Sequence, residues 1–577
     1  MERSWSSLNG VWDWAKDVEG RGRRPSQVRW RTKINVPFAP ETPASGVNER
    51  GFFKAAWYRR KFSSPTLQKG ERLLLHFCAV DYQATVWVNG KLVATHEGGY
   101  TPFAADITDI KPRSGVYTIV VRAEDNPHDM HKPRGKQDWL AKPHGIWYDR
   151  TSGIWQPVWY EVVPATHVSA LRWSCDTEQW QILLEAQAEG ETNGCTLEVF
   201  LSRDGKSIAS QSIALNDGKA TTSIALPVPS TEEERQSMQW HPDHPTLFDA
   251  TIKVRDSKGK PVDTVKSYTA MRSVQLRDTQ LLLNGENCVL RMALDQGYWA
   301  QSGLTAPDDE ALRRDIELAK EMGFNGVRKH QKVENPRFLY WADKLGLMVW
   351  EEMPSAYEFS QIAVQRLTRQ WLEVLARDYS HPCIVAWVPF NESWGLPDLP
   401  GSVAQRDYVR GICQLTRALD PSRPTISNSG WEAAGGEIVT IHDYDGNPQT
   451  FAERYADTAE AFDKLLTEFR PAGKLLVVDG ASARGKPILV DEFGGVRFAP
   501  EIEAGDDSWG YSWAQTPEEL ALKYKQLVSP LLANSKIAGY CWTQLTDTYQ
   551  EMNGLLFMDR TPKLDLDLVR RVNEQKG

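Results

Sequence analysis

Two segments of the chain end in residues suited to acid–base and nucleophilic chemistry. Ile384-Val385-Ala386-Trp387-Val388-Pro389-Phe390 is an apolar run that stops abruptly at Asn391-Glu392-Ser393-Trp394-Gly395, and Pro487-Ile488-Leu489-Val490 stops at Asp491-Glu492-Phe493-Gly494-Gly495. Each reads as a buried strand that delivers a glutamate at its C-terminal end. Two carboxylates converging on one pocket suit glycoside hydrolysis, which needs a proton donor for the leaving oxygen and a second carboxylate for the anomeric carbon. Only one of the two must hold its proton near neutral pH. The like charge of its partner and partial burial raise its pKa, while a neighbouring cation keeps the other ionised. Arg328, in Gly326-Val327-Arg328-Lys329-His330, is the candidate cation.

Positioning two such glutamates requires a scaffold of parallel strands, and the last 300 or so residues supply the pattern. Candidate strands at 289–294, 326–329, 347–350, 384–390, 424–427, 438–441, 488–491 and 538–542 alternate with amphipathic helical segments at 308–322, 363–379, 405–419 and 516–532. Eight strands interleaved with helices over this length predict a (β/α)8 TIM barrel, in which reacting groups sit at the C-terminal strand ends. A doubly wound open sheet is disfavoured, because no G-x-G-x-x-G follows the first strand.

Upstream the grammar differs. Short, aromatic-rich strands such as Trp57–Phe62, Arg72–Phe77 and Ala84–Val88, the last followed by Asn89-Gly90, predict a β-sandwich over residues 1–164. Similar strands separated by Asp204-Gly205 and Asp217-Gly218 turns predict a second, immunoglobulin-like sandwich over 165–273, leaving 274–577 for the barrel.

Composition excludes several classes. With 577 residues, 41% hydrophobic and 25% charged, the chain can build several cores. A formal charge of −9 offers no field for a nucleic-acid backbone. The seven cysteines are scattered without a C-x-x-C pair, so neither a disulfide framework nor a zinc site is expected. No apolar run is long enough for a signal or a membrane span, and the sequence as written reads as soluble and cytoplasmic, with secretion open if a signal was removed. Tryptophan is abundant at 23 residues. Trp57, Trp87, Trp155 and Trp240 read as sandwich core, whereas Trp299, Trp387, Trp394 and Trp542 lie near the expected barrel mouth, where an indole face can stack on a sugar.

At these residues the chain resembles glycoside hydrolase family 2, the group of β-galactosidases, β-glucuronidases and β-mannosidases. Leu8-Asn9-Gly10-Val11-Trp12, Trp57-Tyr58-Arg59-Arg60, Val86–Gly90, His96–Phe103 and Ser152–Trp159 are similar to its sugar-binding-like jelly roll, and Trp240–Phe248 to its W-x-P-x-x-P-x-L-Y signature. Leu283-Asn284-Gly285, Val327-Arg328, Asn391-Glu392-Ser393, Asp491–Gly494 and Trp542–Gly554 resemble the barrel motifs. The resemblance implies that Glu392 is the general acid/base, that Asn391 hydrogen-bonds the sugar 2-hydroxyl, and that Glu492 is the nucleophile of a retaining mechanism. It also implies that Arg328 holds Glu492 ionised and that Trp542 forms a pocket wall. Tyr444 could lie near the nucleophile, Asp295 could bind sugar hydroxyls, and Lys329 or His330 could reach the sugar.

The departures concern specificity. Ala356 stands where metal-dependent relatives carry a ligand, so no metal and no cofactor are expected. Asn553 is not followed by the lysine of an N-x-K uronate clamp, and Lys329-His330-Gln331 replaces H-Y-P. Asp547 and Glu551 are read as structural more readily than as ligands. The reading is a retaining exo-β-glycosidase of β-galactosidase type. The alternatives are β-glucuronidase or β-galacturonidase, β-mannosidase, a galactofuranosidase or arabinosidase, and an inactive carbohydrate-binding protein. A carbohydrate substrate, no nucleic-acid or membrane partner and a possible homo-oligomer complete the expectation.

Overall fold

The computed structural model describes residues 3–499 and 507–574. The chain divides into two compact units. One holds the residues up to His128 with Arg150–Ser273 and Ala376–Pro382; the other holds Asp129–Asp149, Val274–Leu375 and the chain from Cys383 onwards.

The first unit contains two β-sandwiches. In the N-terminal one, a six-stranded antiparallel sheet (Thr32–Val36, Gly10–Asp17, Ala55–Ser63, Val116–Glu124, Gln83–Val88, Lys91–Glu97) faces a four-stranded sheet (Ser4–Ser7, Val158–Val163, Arg72–Phe77, Phe103–Asp106). Period-two alternation buries one face of each strand: Ala84, Val86 and Val88 point inward while Gln83 is exposed. The inward residues join Trp12, Tyr58, Leu75 and Ile154 in one core. At the Asn89-Gly90 turn both residues take positive φ, 50° and 84°, as the tight hairpin requires. The second sandwich packs sheets of three and four strands over a core built from Trp173, Leu184, Val199, Phe248 and Ile252. Trp57, Trp155 and Trp240 are buried; Trp87 is half-buried and stacks on Trp57 at 5.6 Å.

The second unit is the barrel. Parallel strands at Leu290–Asp295, Gly326–Lys329, Met348–Glu352, Ile384–Val388, Val439–Asp443, Ile488–Gly494 and Ile537–Thr543 form one sheet in which the first strand pairs with both the second and the last. The fifth position is irregular. Residues 424–429 close the gap through single parallel bridges, Trp387 with Thr425 and Asn391 with Ser429 on one side and Ile426 with Ile438 on the other. Trp387 N donates to Pro424 O at 3.1 Å and Ile426 N to Trp387 O at 2.9 Å, and the pairing is interrupted at residues 427–428. The strands are buried on both faces, as their unbroken apolar runs predict. Helices start at side-chain caps, Asp308, Ser402 and Thr516 among them, each accepting from a backbone N–H of the first turn.

Asp129–Asp149 belongs to this second unit although its sequence neighbours belong to the first. Arg134 and Gly135 donate their amides to Ser355 O at 2.9 and 3.1 Å, and Tyr357 N donates to Met130 O at 2.9 Å. Gly135 has φ 58°, and a Cβ there would come 2.3 Å from Gln331 O, so this approach requires glycine.

Candidate active site

The two glutamates meet at the C-terminal mouth of the barrel. Their carboxylate oxygens, together with a ring nitrogen of His442, lie within 4.8 Å of one another. Glu392 follows the fourth strand in a tight turn where Glu392 and Ser393 both adopt left-handed φ, 52° and 57°. Such a conformation costs about 1–3 kcal/mol per residue and persists only where surrounding bonds fix it. Here Glu392 N donates to Ser429 O at 2.9 Å, Ser393 N donates to Asn428 Oδ1 at 3.0 Å, and Ser393 Oγ donates to Glu432 Oε2 at 2.6 Å. The irregular fifth position thus supplies the acceptors that hold the turn.

Around Glu492 the partners are cationic or phenolic. Arg328 is fully buried; its NH1 donates to Glu492 Oε1 at 3.0 Å, its NH2 to Asn391 Oδ1 at 2.7 Å, and its Nε to Glu352 Oε2 at 2.7 Å. Tyr444 OH donates to Glu492 Oε2 at 2.7 Å, and its ring stacks on Tyr511 at 3.5 Å. Burial, with the charge of Glu492, pushes the Tyr444 phenol well above its ordinary pKa, so it stays a donor. His330 Nδ1 is 3.0 Å from Glu352 and 3.8 Å from Glu492, and burial followed by the charge of Lys136 keeps it neutral.

Glu392 contradicts the expected direction of its shift. Burial does push its carboxyl up, but the hydrogen bond and charge of His442, the charge of Lys136 and the Trp394 indole together hold it below the ordinary carboxylate range. His442 Nδ1 is 2.8 Å from Glu392 Oε1, and Trp394 Nε1 donates to Oε2 at 3.1 Å. His442 itself is raised: burial opposes its charge, and Glu492, Asp491 and Glu392 outweigh burial. A cluster of carboxylates this dense draws positive charge, which here is supplied by the guanidinium and the imidazole.

Of the residues singled out from sequence, Asn391, Arg328, Tyr444, His330 and Trp394 converge with the two glutamates. Asn391 Nδ2 is buried and has no hydrogen-bond partner among the described residues. Asp295 does not converge in a free state: Lys329 Nζ takes its Oδ2 at 2.8 Å and Gly297 N its Oδ1 at 2.8 Å. Lys329 also pairs with Glu334 at 3.0 Å, so it is a buried structural cation and does not reach toward the site. Trp542 is 0% exposed, covered by Phe493, Tyr524 and Gly494, and offers no open wall. Trp387 is likewise buried, with Nε1 donating to Asp420 at 2.8 Å, and Trp299 lies beneath Arg560 and Lys332.

Glu551, read from sequence as structural, feels the charge of Glu492 and accepts from Tyr148 OH and from Asn553 Nδ2 at 3.1 Å, while Gln296 Nε2 donates to Tyr148 OH and to Gln544 Oε1, both at 2.8 Å; Tyr148 and several other groups were not found from sequence. Asp547 instead pairs with Lys563 at 2.6 Å, a structural role. Trp147 and Tyr357, half-buried, pack against Trp394 at 5.4 and 5.3 Å and form an aromatic rim. Lys136 is 7% exposed and its ammonium makes no hydrogen bond or ion pair among the described residues; its charge acts on His330, Glu551 and Glu392. His442 stands two residues before Tyr444, on the same side of the strand end, and this alternation is the one signal that could have marked it. Lys136, Trp147 and Tyr148 lie far upstream in sequence, where no spacing rule connects them to the barrel.

The profile of the glycosyl hydrolases family 2 TIM barrel domain matches residues 274–493, and that of the glycosyl hydrolase 2 galactose-binding domain-like region matches 41–153. A β-galactosidase of Thermoanaerobacter pseudethanolicus is 28% identical over 403 residues, 68% of this chain and 51% of its own length. A putative β-glucuronidase of Formosa agariphila is 25% identical over 81% of this chain and 55% of its own length, and a β-glucuronidase of Felis catus is 25% identical over 77% and 72%. This chain thus spans about half the length of the first two. Among solved structures, a β-galacturonidase of Eisenbergiella tayi bound to galacturonate superposes over 100% of this chain and 98% of its own with TM-score 0.75 at 21% identity. A β-D-glucuronidase of Dictyoglomus thermophilum does so over 100% and 98% with TM-score 0.78 at 19% identity.

Proposed function

The chain belongs to glycoside hydrolase family 2, and from that membership and the site geometry we propose that it is a retaining exo-β-glycosidase. The observation that carries the reading is the convergence of Glu392 and Glu492 oxygens within 4.8 Å. Retaining enzymes hold their carboxyl groups about 5–5.5 Å apart, whereas inverting enzymes leave about 6.5–9.5 Å for a water molecule.

In the proposed reaction Glu492 attacks the anomeric carbon as Glu392 protonates the leaving oxygen. A covalent glycosyl-enzyme results, and water attacks it with Glu392 acting as base. Arg328 and Tyr444, bonded to opposite oxygens of Glu492, fix the attacking carboxylate. Asn391, positioned by Arg328 and with Nδ2 unpartnered, is suited to a sugar hydroxyl. No metal is assigned a part, since Arg328 and His442 already bring cationic charge to the carboxylates.

For the sugar, a terminal β-galactoside is the first reading. A uronide is the second, supported by Lys136, a residue 7% exposed whose ammonium makes no ion pair among the described residues: a carboxylate on the sugar would supply a partner. Of the relatives and solved structures named above one is a β-galactosidase and four are uronidases, so on that side the uronide has at least as much support as the galactoside. The test is a panel of nitrophenyl β-galactoside, β-glucuronide, β-galacturonide, β-mannoside and the corresponding furanosides. Hydrolysis of at least one of them, with the β-anomer formed first, is expected; an α-anomer as first product contradicts the retaining assignment, and no turnover of any favours an inactive binding protein.

A further inference from the structure

His442 has no part in the two-carboxylate scheme, yet it lies between both carboxylates. Its surroundings fix where its protons go. Ser429 Oγ has a single hydrogen, donated to Asp491 Oδ2 at 2.5 Å; toward His442 Nε2, 3.1 Å away, the hydroxyl therefore offers a lone pair, and Nε2 carries a hydrogen. Asp491 Oδ1 and Glu492 Oε1, each 3.4 Å from Nε2, are acceptors as well. That leaves Nδ1, which faces Glu392 Oε1 at 2.8 Å, and between these two atoms there is room for one hydrogen. The hydrogen belongs either to a neutral imidazole's partner, as Glu392–COOH, or to an imidazolium beside a carboxylate.

We propose that the acid–base group of this site is the Glu392–His442 pair holding one proton in common, with Ser429 and Asp491 fixing the imidazole so that its Nδ1 always faces the carboxylate. The inference rests on the reading of Glu392 as acid/base and deepens it by adding a positioning residue. In the resting enzyme the shared proton sits on Nδ1. Glu492, Asp491 and Glu392 favour the imidazolium, while Arg328, whose NH1 is 3.5 Å from Nε2, and the neutral His330 do not; Lys136 adds positive charge on the Glu392 side.

The proton count closes over the cycle. The pair enters with one shared proton. As the Glu492 oxygen bonds to the anomeric carbon and the glycosidic C–O bond breaks, that proton ends on the leaving oxygen, leaving a carboxylate and a neutral imidazole. In the second half, water oxygen bonds to the anomeric carbon, the bond to Glu492 breaks, and the water's proton returns to the pair. A carboxyl that His442 holds below the ordinary range carries no proton of its own at neutral pH; the imidazole keeps one 2.8 Å away.

The experiment follows all eleven histidines by 15N NMR across pH in 15N-histidine-labelled wild type and Glu392→Gln, an isosteric change. One histidine is expected to remain doubly protonated at neutral pH in the wild type and to titrate at least one pH unit lower in the variant, where it has lost its anionic partner. If no histidine titration responds to Glu392→Gln, the proposal is overturned. In His442→Asn, kcat/KM for a substrate with a poor leaving group should lose its basic limb at least one pH unit below wild type. A uniform loss at every pH, with the limb unmoved, would mark a merely structural histidine and overturn the proposal. Failure of the Glu392 reading looks different: Glu392→Gln would then depress good and poor leaving groups alike, whatever the histidines do.

Discussion

Arg328→Lys tests the centre of the site with the smallest change of charge. The guanidinium reaches three groups from three strand ends at once: Glu352 Oε2 through Nε at 2.7 Å, Asn391 Oδ1 through NH2 at 2.7 Å and Glu492 Oε1 through NH1 at 3.0 Å. An ammonium is a point on a flexible stem and cannot span that fork. With Glu352 fully buried and bonded besides to Gln331 N at 2.9 Å, the lysine is expected to stay with Glu352 and abandon Asn391 and Glu492. Each hydrogen bond involving a charged group contributes about 1.5–3 kcal/mol. Since the attacking carboxylate keeps Tyr444, a net loss of about 3–4 kcal/mol of transition-state stabilisation is expected, or about 10²–10³-fold in kcat/KM. The assay is steady-state kinetics on the nitrophenyl glycoside that the wild type hydrolyses, with circular dichroism melting run alongside to show that the barrel is folded. A folded variant with kcat/KM within threefold of wild type would refute the role of the guanidinium in holding Glu492 and Asn391.

Three further outcomes follow from the same geometry. Glu392→Gln should slow substrates with poor leaving groups by about 10²–10⁴-fold while sparing activated aryl glycosides in the first step, since only the former need the proton; equal losses on both would remove Glu392 from the acid role. EDTA should leave activity unchanged, and inhibition reversed by Mg²⁺ would show that the positive charge of Arg328 and His442 does not suffice. In the N-terminal sandwich Glu41 is buried against Ser152, and burial, against the charge of Arg150, pushes its carboxyl up to about 7. The folded chain thus keeps a proton that the unfolded chain releases near pH ~4.5, so stability should fall by about 3 kcal/mol as pH rises toward about 7 and level off above it; Glu41→Gln should flatten that slope in melting curves, and an unchanged slope would contradict it.

Much of this was legible in the residues. The eight barrel positions follow from apolar runs separated by amphipathic helices, because a parallel strand buried on both faces has no choice of composition. Only the fifth departs, where polar Ser427 and Asn428 interrupt the pairing between the bridges at Ile426 and Ser429. The glutamates at the ends of the fourth and seventh strands were legible as a pair: a single strand-end carboxylate is often structural, as Asp295 is, but two apolar runs of one barrel each ending in a glutamate point to one pocket. Less could be read where the answer depended on what each side chain touches. Asp295 and Lys329 look like strand-end ligands in sequence, yet they neutralise each other at 2.8 Å. Trp542 and Trp387 lie at strand ends but are packed inside. The direction of the Glu392 shift turned on a histidine fifty residues downstream, and Lys136 on a segment that joins the barrel unit from within the sandwich sequence.

The central claim is that Glu492 attacks the sugar and Glu392 serves the proton. Its most direct test is Glu492→Ala with added azide. The variant should lose turnover of the aryl glycoside by several orders of magnitude, and azide should restore it with a glycosyl azide of inverted, α configuration as product. Full residual activity without azide, or a rescued product of β configuration, would contradict the account.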